Sequence, residues 1–375
     1  MRSSITSRFL SGAVRHACLM IVCCGLSGAT GTALAQRIYT TNLDSDTVSV
    51  VDPTSNTVVD TIHVGNGPVR IAITPDGTRA YVTNNFDDTV SVIDIVSNTV
   101  IDTIDVSIQP QGIAISPDGA RAYVAHFADG TLAVIDTTTN QVISSGFVGL
   151  TAYAVAITPD GSRVYVTSFY NFKTWAIDTA SNTVIATIPV GGPTDFPLGQ
   201  CSYAVAISPD GARAYVSSVC SNDITVIDTT TNSVSGVIPI PAPNGLTFTH
   251  DGSLLYVASE VSENLSAIAT ATNTVAASFS IPFGVTGVAL SPDGKYAYVT
   301  VYINPPQVSV VDLQTNTLIA NIPVDPGPTS IAIAPPRVPR SAADCKKDNY
   351  KNWGPPAGPF RNQGQCLKYV NALLH

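Results

Sequence analysis

The stretch that decides the fold is Pro68–Val106, PVRIAITPDGTRAYVTNNFDDTVSVIDIVSNTVIDTIDV. Apolar runs at Ile71–Ile73, Ala80–Val82, Val90–Ile93 and Val100–Ile104 alternate with turn-forming clusters. Val, Ile, Thr and Tyr dominate these runs, as strands prefer. Asp76-Gly77 between two runs signals a tight hairpin, because Gly accepts the positive φ such turns need. The stretch therefore predicts four short antiparallel strands.

The same unit recurs along the chain. Pro-Asp-Gly, or a relic of it, begins at Pro75, Pro117, Pro159, Pro209, His250, Pro292 and Pro335, spaced by 42, 42, 50, 41, 42 and 43 residues. A tyrosine opens the following run at Tyr39, Tyr81, Tyr123, Tyr165, Tyr215, Tyr256 and Tyr298. A third marker is the Asn of an SNT- or TNT-like turn: Asn56, Asn98, Asn140, Asn182, Asn232, Asn273 and Asn316. Four strands per unit of this length make a propeller blade. Solenoid repeats are usually shorter or helical, and no helical period appears. The repeats begin in mid-unit at Arg37-Ile38-Tyr39 and end with an extra run, Ser330–Ile333. Both ends are thus expected to build one shared blade, closing an all-β, seven-bladed β-propeller and removing its open edges.

Residues 1–35 read as an export signal. Arg2, Arg8 and Arg15 precede an apolar segment, Ala17–Leu26, and then Ala33-Leu34-Ala35, so cleavage is expected near Ala35. The apolar run is short for a membrane span of about 20 residues. The expected organisation is a signal peptide (1–35), a propeller (36–336) and a basic tail (337–375). Residues 36–336 carry 8 Lys and Arg against 25 Asp and Glu, while the tail carries 7 Lys and Arg against 2 Asp. An acidic body of this kind repels phosphate backbones and argues against nucleic acid. The expected product is a secreted or extracytoplasmic monomer without a transmembrane span.

Tyr81-Val82-Thr83-Asn84, between Ile-Ala-Ile-Thr-Pro-Asp-Gly and Ser-Val-Ile-Asp, resembles the repeat of the YVTN-type β-propeller proteins of bacterial and archaeal secretions and surface layers. That resemblance implies the seven-bladed ring and an extracytoplasmic setting. The tail, with its Asp-Cys-Lys at 344–346 and Asn362-Gln363-Gly364-Gln365-Cys366, resembles a short motif that ends many bacterial secreted proteins.

Four cysteines follow the signal, an even number in an exported protein, which suggests two disulfides. A hairpin centred between Asp210 and Gly211 opposes Ala206 to Tyr215 and Cys201 to Cys220. Cys345 and Cys366 bracket the tail and form the other expected pair.

Propeller loops sort onto two faces. The PDG and TNT turns share one face and repeat nearly unchanged. The other face holds the variable loops, with Phe86, Asp87, Asp88, His126, Phe127, Phe169, Tyr170, Phe172 and Tyr302. Tyr153, Phe196, Tyr203 and Phe283 are placed in the nearby blade links, beside the one insertion, Gly192–Cys201. Aromatic side chains on variable loops over a rigid ring form a candidate ligand surface. Asp44, Asp46, Asp87 and Asp88 have the oxygen chemistry for Ca²⁺, but capping of backbone donors is the stronger reading, and neither metal nor cofactor is expected.

Catalytic signals are sparse. Four histidines follow the signal, His63, His126, His250 and His375, and they stand apart in sequence. No G-x-S-x-G elbow, CxxCH, H-x-H or CxxC occurs. The leading expectation is a non-catalytic binding or scaffold protein with a protein or glycan partner. The alternative is a lactonase-like hydrolase with carboxylates in the channel. Convergent Asp, His and Arg near Arg70 would favour the enzyme, and an apolar or Thr-lined channel under an aromatic rim would favour binding.

Overall fold

The computed structural model describes residues 36–191, 202–260, 262–281, 284–303 and 305–335, with Gln363, Cys366, Leu367 and Lys368. The expected signal, the insertion with Phe196 and Cys201, Phe283, and most of the tail with Cys345 lie outside the described residues. Cys220 and Cys366 are each disulfide-bonded.

Among the described residues, 28 strands form seven four-stranded sheets, each antiparallel throughout, so the fold is a seven-bladed β-propeller. The blade that decides the fold contains β4 (Pro68–Ile73), β5 (Arg79–Asn84), β6 (Thr89–Asp94) and β7 (Thr99–Asp105), in that order. The ring closes as the phase of the repeats predicts. β1 (Ile38–Asn42) pairs on one side with β2 (Thr47–Asp52) and on the other with the last strand, β28 (Pro328–Ile333). Tyr39 faces Ala332, and Thr40 faces Ile331. Leu43 N–H adds a bond of 2.7 Å to the Gly327 carbonyl.

Burial follows the order of strands in a blade. The second and third strands are buried on both faces, as in β5, where Ala80 to Asn84 are all enclosed. The fourth strand is mostly exposed, as in β7, where Ile104 is the buried residue. This explains the near-continuous Val/Ile/Ala runs at the middle of each unit and the polar alternation at its end. The cores lie between blades. Tyr39, Val48 and Val50 of the closing blade pack with Ile71, Ala80, Val82 and Ile93 of the next.

The repeated markers turn out to be latches. Tyr39 Oη donates to Asn98 Oδ1 at 2.9 Å, Tyr81 to Asn140 at 2.9 Å, Tyr165 to Asn232 at 2.7 Å and Tyr215 to Asn273 at 2.8 Å. Each ties one blade to the TNT turn of the next, and a bond of this kind contributes about 1 kcal/mol. The Asn sits at positive φ, 52° at Asn98 and 55° at Asn140, a conformation Asn tolerates better than most residues.

The PDG turns are equally constrained. Gly161 has φ 70°, and the Asp160 carboxylate accepts from Thr158 Oγ1 at 2.6 Å and from Ser162 N–H at 3.0 Å. These bonds pull the Asp160 carboxyl down to about 2, and the matching bonds from Thr249 and Ser253 do the same for Asp251. A carboxyl held below its unfolded value of about 3.9 stabilises the fold above that pH, and the contribution disappears as pH falls through the folded value. The urea midpoint is therefore expected to drop between about pH 4 and about pH 2, with Asp160→Asn flattening part of that drop. An acid limb unchanged in Asp160→Asn would refute the assignment.

Candidate binding site at the channel mouth

The first strand of every blade lines the central channel. These strands are β28 and β4, already described, and β8 (Pro110–Ile115), β12 (Ala152–Ile157), β16 (Ser202–Ile207), β20 (Pro243–Phe248) and β24 (Val285–Leu290). Each changes register near its start, for example between Pro68 and Arg70 and between Ser202 and Ala204. A β-bulge re-aims the side chains at the rim of a sheet. Tyr153 and Tyr203 occupy these bulges, so they belong to the channel-lining strands and not to the blade links where the sequence placed them.

One position after the bulge, the seven strands carry Arg70, Gly112, Ala154, Ala204, Gly245, Gly287 and Ser330. Arg70 is the one large side chain in that circle. Its Cζ lies 5.2 Å from the Tyr203 ring centroid and 5.7 Å from that of Tyr153, within cation–π range. Nη1 donates to the Val69 and Thr329 carbonyls at 3.3 and 3.5 Å. Burial opposes its charge, but the adjacent Tyr203 and Tyr153 phenols more than offset this and hold its pKa above the ordinary value. Burial, reinforced by Tyr203, pushes the Tyr153 phenol up, with Arg70 acting in the opposite sense. Above Arg70 opens a cavity of about 380 Å³ lined by Gln111, Phe86, Tyr302, Ile303, Thr286 and Glu260, among others. Below it, a smaller cavity of about 170 Å³ is lined by Gly245, Gly287 and Ser330. Arg70 thus forms the waist of the channel.

The aromatic residues of the loop face divide into distinct roles. Phe169 leans on Tyr153 at a tilt of 40°, ring centroids 4.9 Å apart, and meets Tyr170 edge-on at 4.8 Å, while the Phe127 ring lies 6.1 and 5.8 Å from Phe169 and Tyr170. Tyr153 also meets Tyr203 at 5.2 Å. A continuous aromatic arc therefore runs from the exposed Tyr170 down to Arg70. Phe86, 69% exposed, lies over Gly67 at the cavity rim. Tyr302 donates to Asp44 at 3.1 Å on the same rim, and burial followed by Asp44 raises its phenol pKa. Phe172, at φ 48°, sets its ring against Gly191.

Three members of the candidate set take structural roles instead. His126 is fully buried as the last residue of β9 (Arg121–His126), its Nδ1 3.1 Å from Thr131 Oγ1, and burial lowers its pKa. It fills the place of Asn84, whose Nδ2 bonds Thr89 and Ser91, because the strand runs one residue further than the sequence suggested. The Asp87 carboxylate accepts from Asn66 N and Nδ2, both at 2.6 Å, and Asp88 accepts from Gln109 N at 2.8 Å. Asp46 does the same for Gly67 N at 2.8 Å. Backbone capping occupies these carboxylates, and among the described residues no three His, Cys, Asp or Glu gather as a metal site. Arg70 entered the sequence reading as a landmark of the channel and not as a site residue, and a position-by-position comparison of the seven first strands sets it apart.

The ring geometry has counterparts among known proteins. Residues 11–128 match the family model of the YNCE-like beta-propellers. One curated relative, the PE-PGRS family protein PE_PGRS18 of Mycobacterium tuberculosis, is 54% identical over 39 residues. That match spans 10% of this chain and 8% of the relative. Among solved structures, Kuenenia stuttgartiensis hydrazine synthase superposes with a TM-score of 0.63 at 24% identity, covering 76% of this chain and 92% of that one. A functionally unknown protein of Desulfotomaculum acetoxidans reaches 0.70 at 17% identity, covering 80% and 99%. The Cps50 (Swd1) propeller domain of Myceliophteria thermophila reaches 0.60 at 14% identity, covering 70% and 88%. At these identities the likenesses show the fold. Among the described residues no helix is long and apolar enough to cross a membrane.

Proposed function

We propose that the protein is a non-catalytic extracytoplasmic binding or cell-surface scaffold protein that holds a protein or glycan on the variable loop face. The observation that carries this reading is the aromatic arc Phe127–Tyr170–Phe169–Tyr153, which leads from an exposed rim into the channel cavity. Aromatic side chains offer large contact area at low conformational cost and suit both sugar rings and protein anchors. The opposite face carries self-satisfied PDG turns whose carboxylates bond their own backbone. Glu260, which lines the cavity, accepts from Asn244 Nδ2 at 3.4 Å, and among the described residues no histidine lines the cavity beside it. This lining supports binding over the lactonase-like alternative.

The test is an array of cell-envelope glycans and a partner capture with the purified protein, each repeated with Phe127→Ala and Tyr170→Ala. Capture is expected to fall by about tenfold or more in either variant, since losing a central aromatic anchor costs about 1.4 kcal/mol or more. Undiminished capture by both variants would contradict the proposed face.

A further inference from the structure

We infer that the channel mouth is a site for a small ring-bearing organic carboxylate, its carboxylate held by the Arg70 guanidinium and its body by the surrounding rings. This rests on the loop-face binding reading and gives it a ligand class.

Four observations carry it. First, among the described residues no carboxylate forms an ion pair with Arg70. A cation held at depth without an anion favours an incoming one. Second, Tyr153 and Tyr203 stand within cation–π distance of the guanidinium. The two tyrosines and the Val69 and Thr329 carbonyls hold the guanidinium in place at the cavity, and a guanidinium is the side chain suited to forked recognition of a carboxylate. Third, a volume of about 380 Å³ lies in the range of small-ligand sites. Fourth, the same cavity carries Glu260, and Asp44 stands behind Tyr302. One guanidinium balances one carboxylate, and two neighbouring carboxylates repel a dianionic phosphate more strongly than a monoanion. Tyr153, Tyr203, Tyr302, Phe86 and Ile303 supply apolar surface for the rest of the molecule.

Aromatic acids and uronic-acid sugars share this chemistry, and two probes separate them. The protein purified from expression of the full chain is titrated calorimetrically with 3-phenylpropionate and with methyl glucuronide, each beside its uncharged amide. At least one acid is expected to bind saturably, with its amide weaker by about tenfold or more. Arg70→Gln is expected to lose that affinity by a similar factor while keeping the thermal midpoint. Arg70→Lys is expected to fall between, since it keeps the charge and loses the fork. Binding of neither acid below about 10 mM, equal binding of acid and amide, or undiminished binding by Arg70→Gln would overturn the inference. Should Arg70→Gln fail to fold, the acid–amide contrast and Arg70→Lys decide it. Failed titrations beside glycan or partner capture that still depends on Phe127 and Tyr170 would sink the carboxylate site and leave the loop-face reading standing.

Discussion

Ending the chain after Val324 abolishes cooperative folding, by our expectation. The truncation removes β28, the strand that closes the ring on β1. It strips Ile331, Ile333, Ala332 and Ala334 from two inter-blade cores, where they pack with Ile38, Val51, Tyr39 and Ile71. It also removes the Thr329 hydroxyl that meets Thr41 at 3.0 Å. What remains is an exposed strand edge beside uncovered apolar surface, which is the condition for aggregation. Burial of one large aliphatic side chain is worth roughly 2 kcal/mol, and two isoleucines are lost together with every ladder bond between β28 and β1, against a typical stability of about 5–15 kcal/mol. A chain ended after Pro336 retains all 28 strands and is expected to melt cooperatively. Thermal unfolding followed by circular dichroism separates the two, and a cooperative transition in the shorter chain would show that the ring does not depend on this closure.

The second large effect is expected at Gly112. A Cβ there would stand 2.4 Å from the Tyr153 carbonyl oxygen and 2.8 Å from Val155 N, both backbone atoms of the neighbouring first strand. Backbone held in a sheet cannot step aside as a side chain can, so Gly112→Val should cost about 3 kcal/mol or more. Gly146, in an outer strand, has nothing within 4 Å of its would-be Cβ. Gly146→Val is therefore expected to change stability by less than about 0.5 kcal/mol. Urea titration of the pair checks the contrast, and equal midpoints would contradict the tight inner ring. The same geometry bears on the site. Gly245 is similarly hemmed in, 2.9 Å from the Thr286 carbonyl. Crowding at such positions confines large side chains in this circle to special places, and Arg70 holds one of them.

The repeat made the ring readable because each marker has a fixed mechanical task. PDG needs a positive-φ Gly, the TNT Asn needs its left-handed turn, and the Tyr must reach that Asn in the next blade. Register was legible along most of a hairpin: Ala206 does face Tyr215, and Ala204 faces Ser217. It then slips at Tyr203, so Ser202 faces Ser218. No Gly or Pro marks that bulge, and a strand with one free edge tolerates it without a sequence signature. His126 reads as a loop residue because β9 gives no sign of running one residue past its apolar run, and Asp87 and Asp88 read as available because their partners come from the flanking blade links, Asn66 from the link before and Gln109 from the link after. Phe127, Phe169 and Tyr170 do converge, since they sit at equivalent corners of adjacent blades. Arg70 is hidden in a run that reads as ordinary strand, and its meaning appears only when the ring brings Tyr153 and Tyr203 against it.

The central claim is that binding uses the loop face and channel mouth. Hydrogen–deuterium exchange of the protein, alone and saturated with the glycan or partner selected by capture, tests it most directly. The account predicts new protection at Phe127, at Phe169–Phe172 and around Tyr302, with the PDG and TNT turns unchanged. Protection centred on Pro117–Gly119, Thr138–Asn140 and their counterparts, with the loop face unaffected, would contradict it.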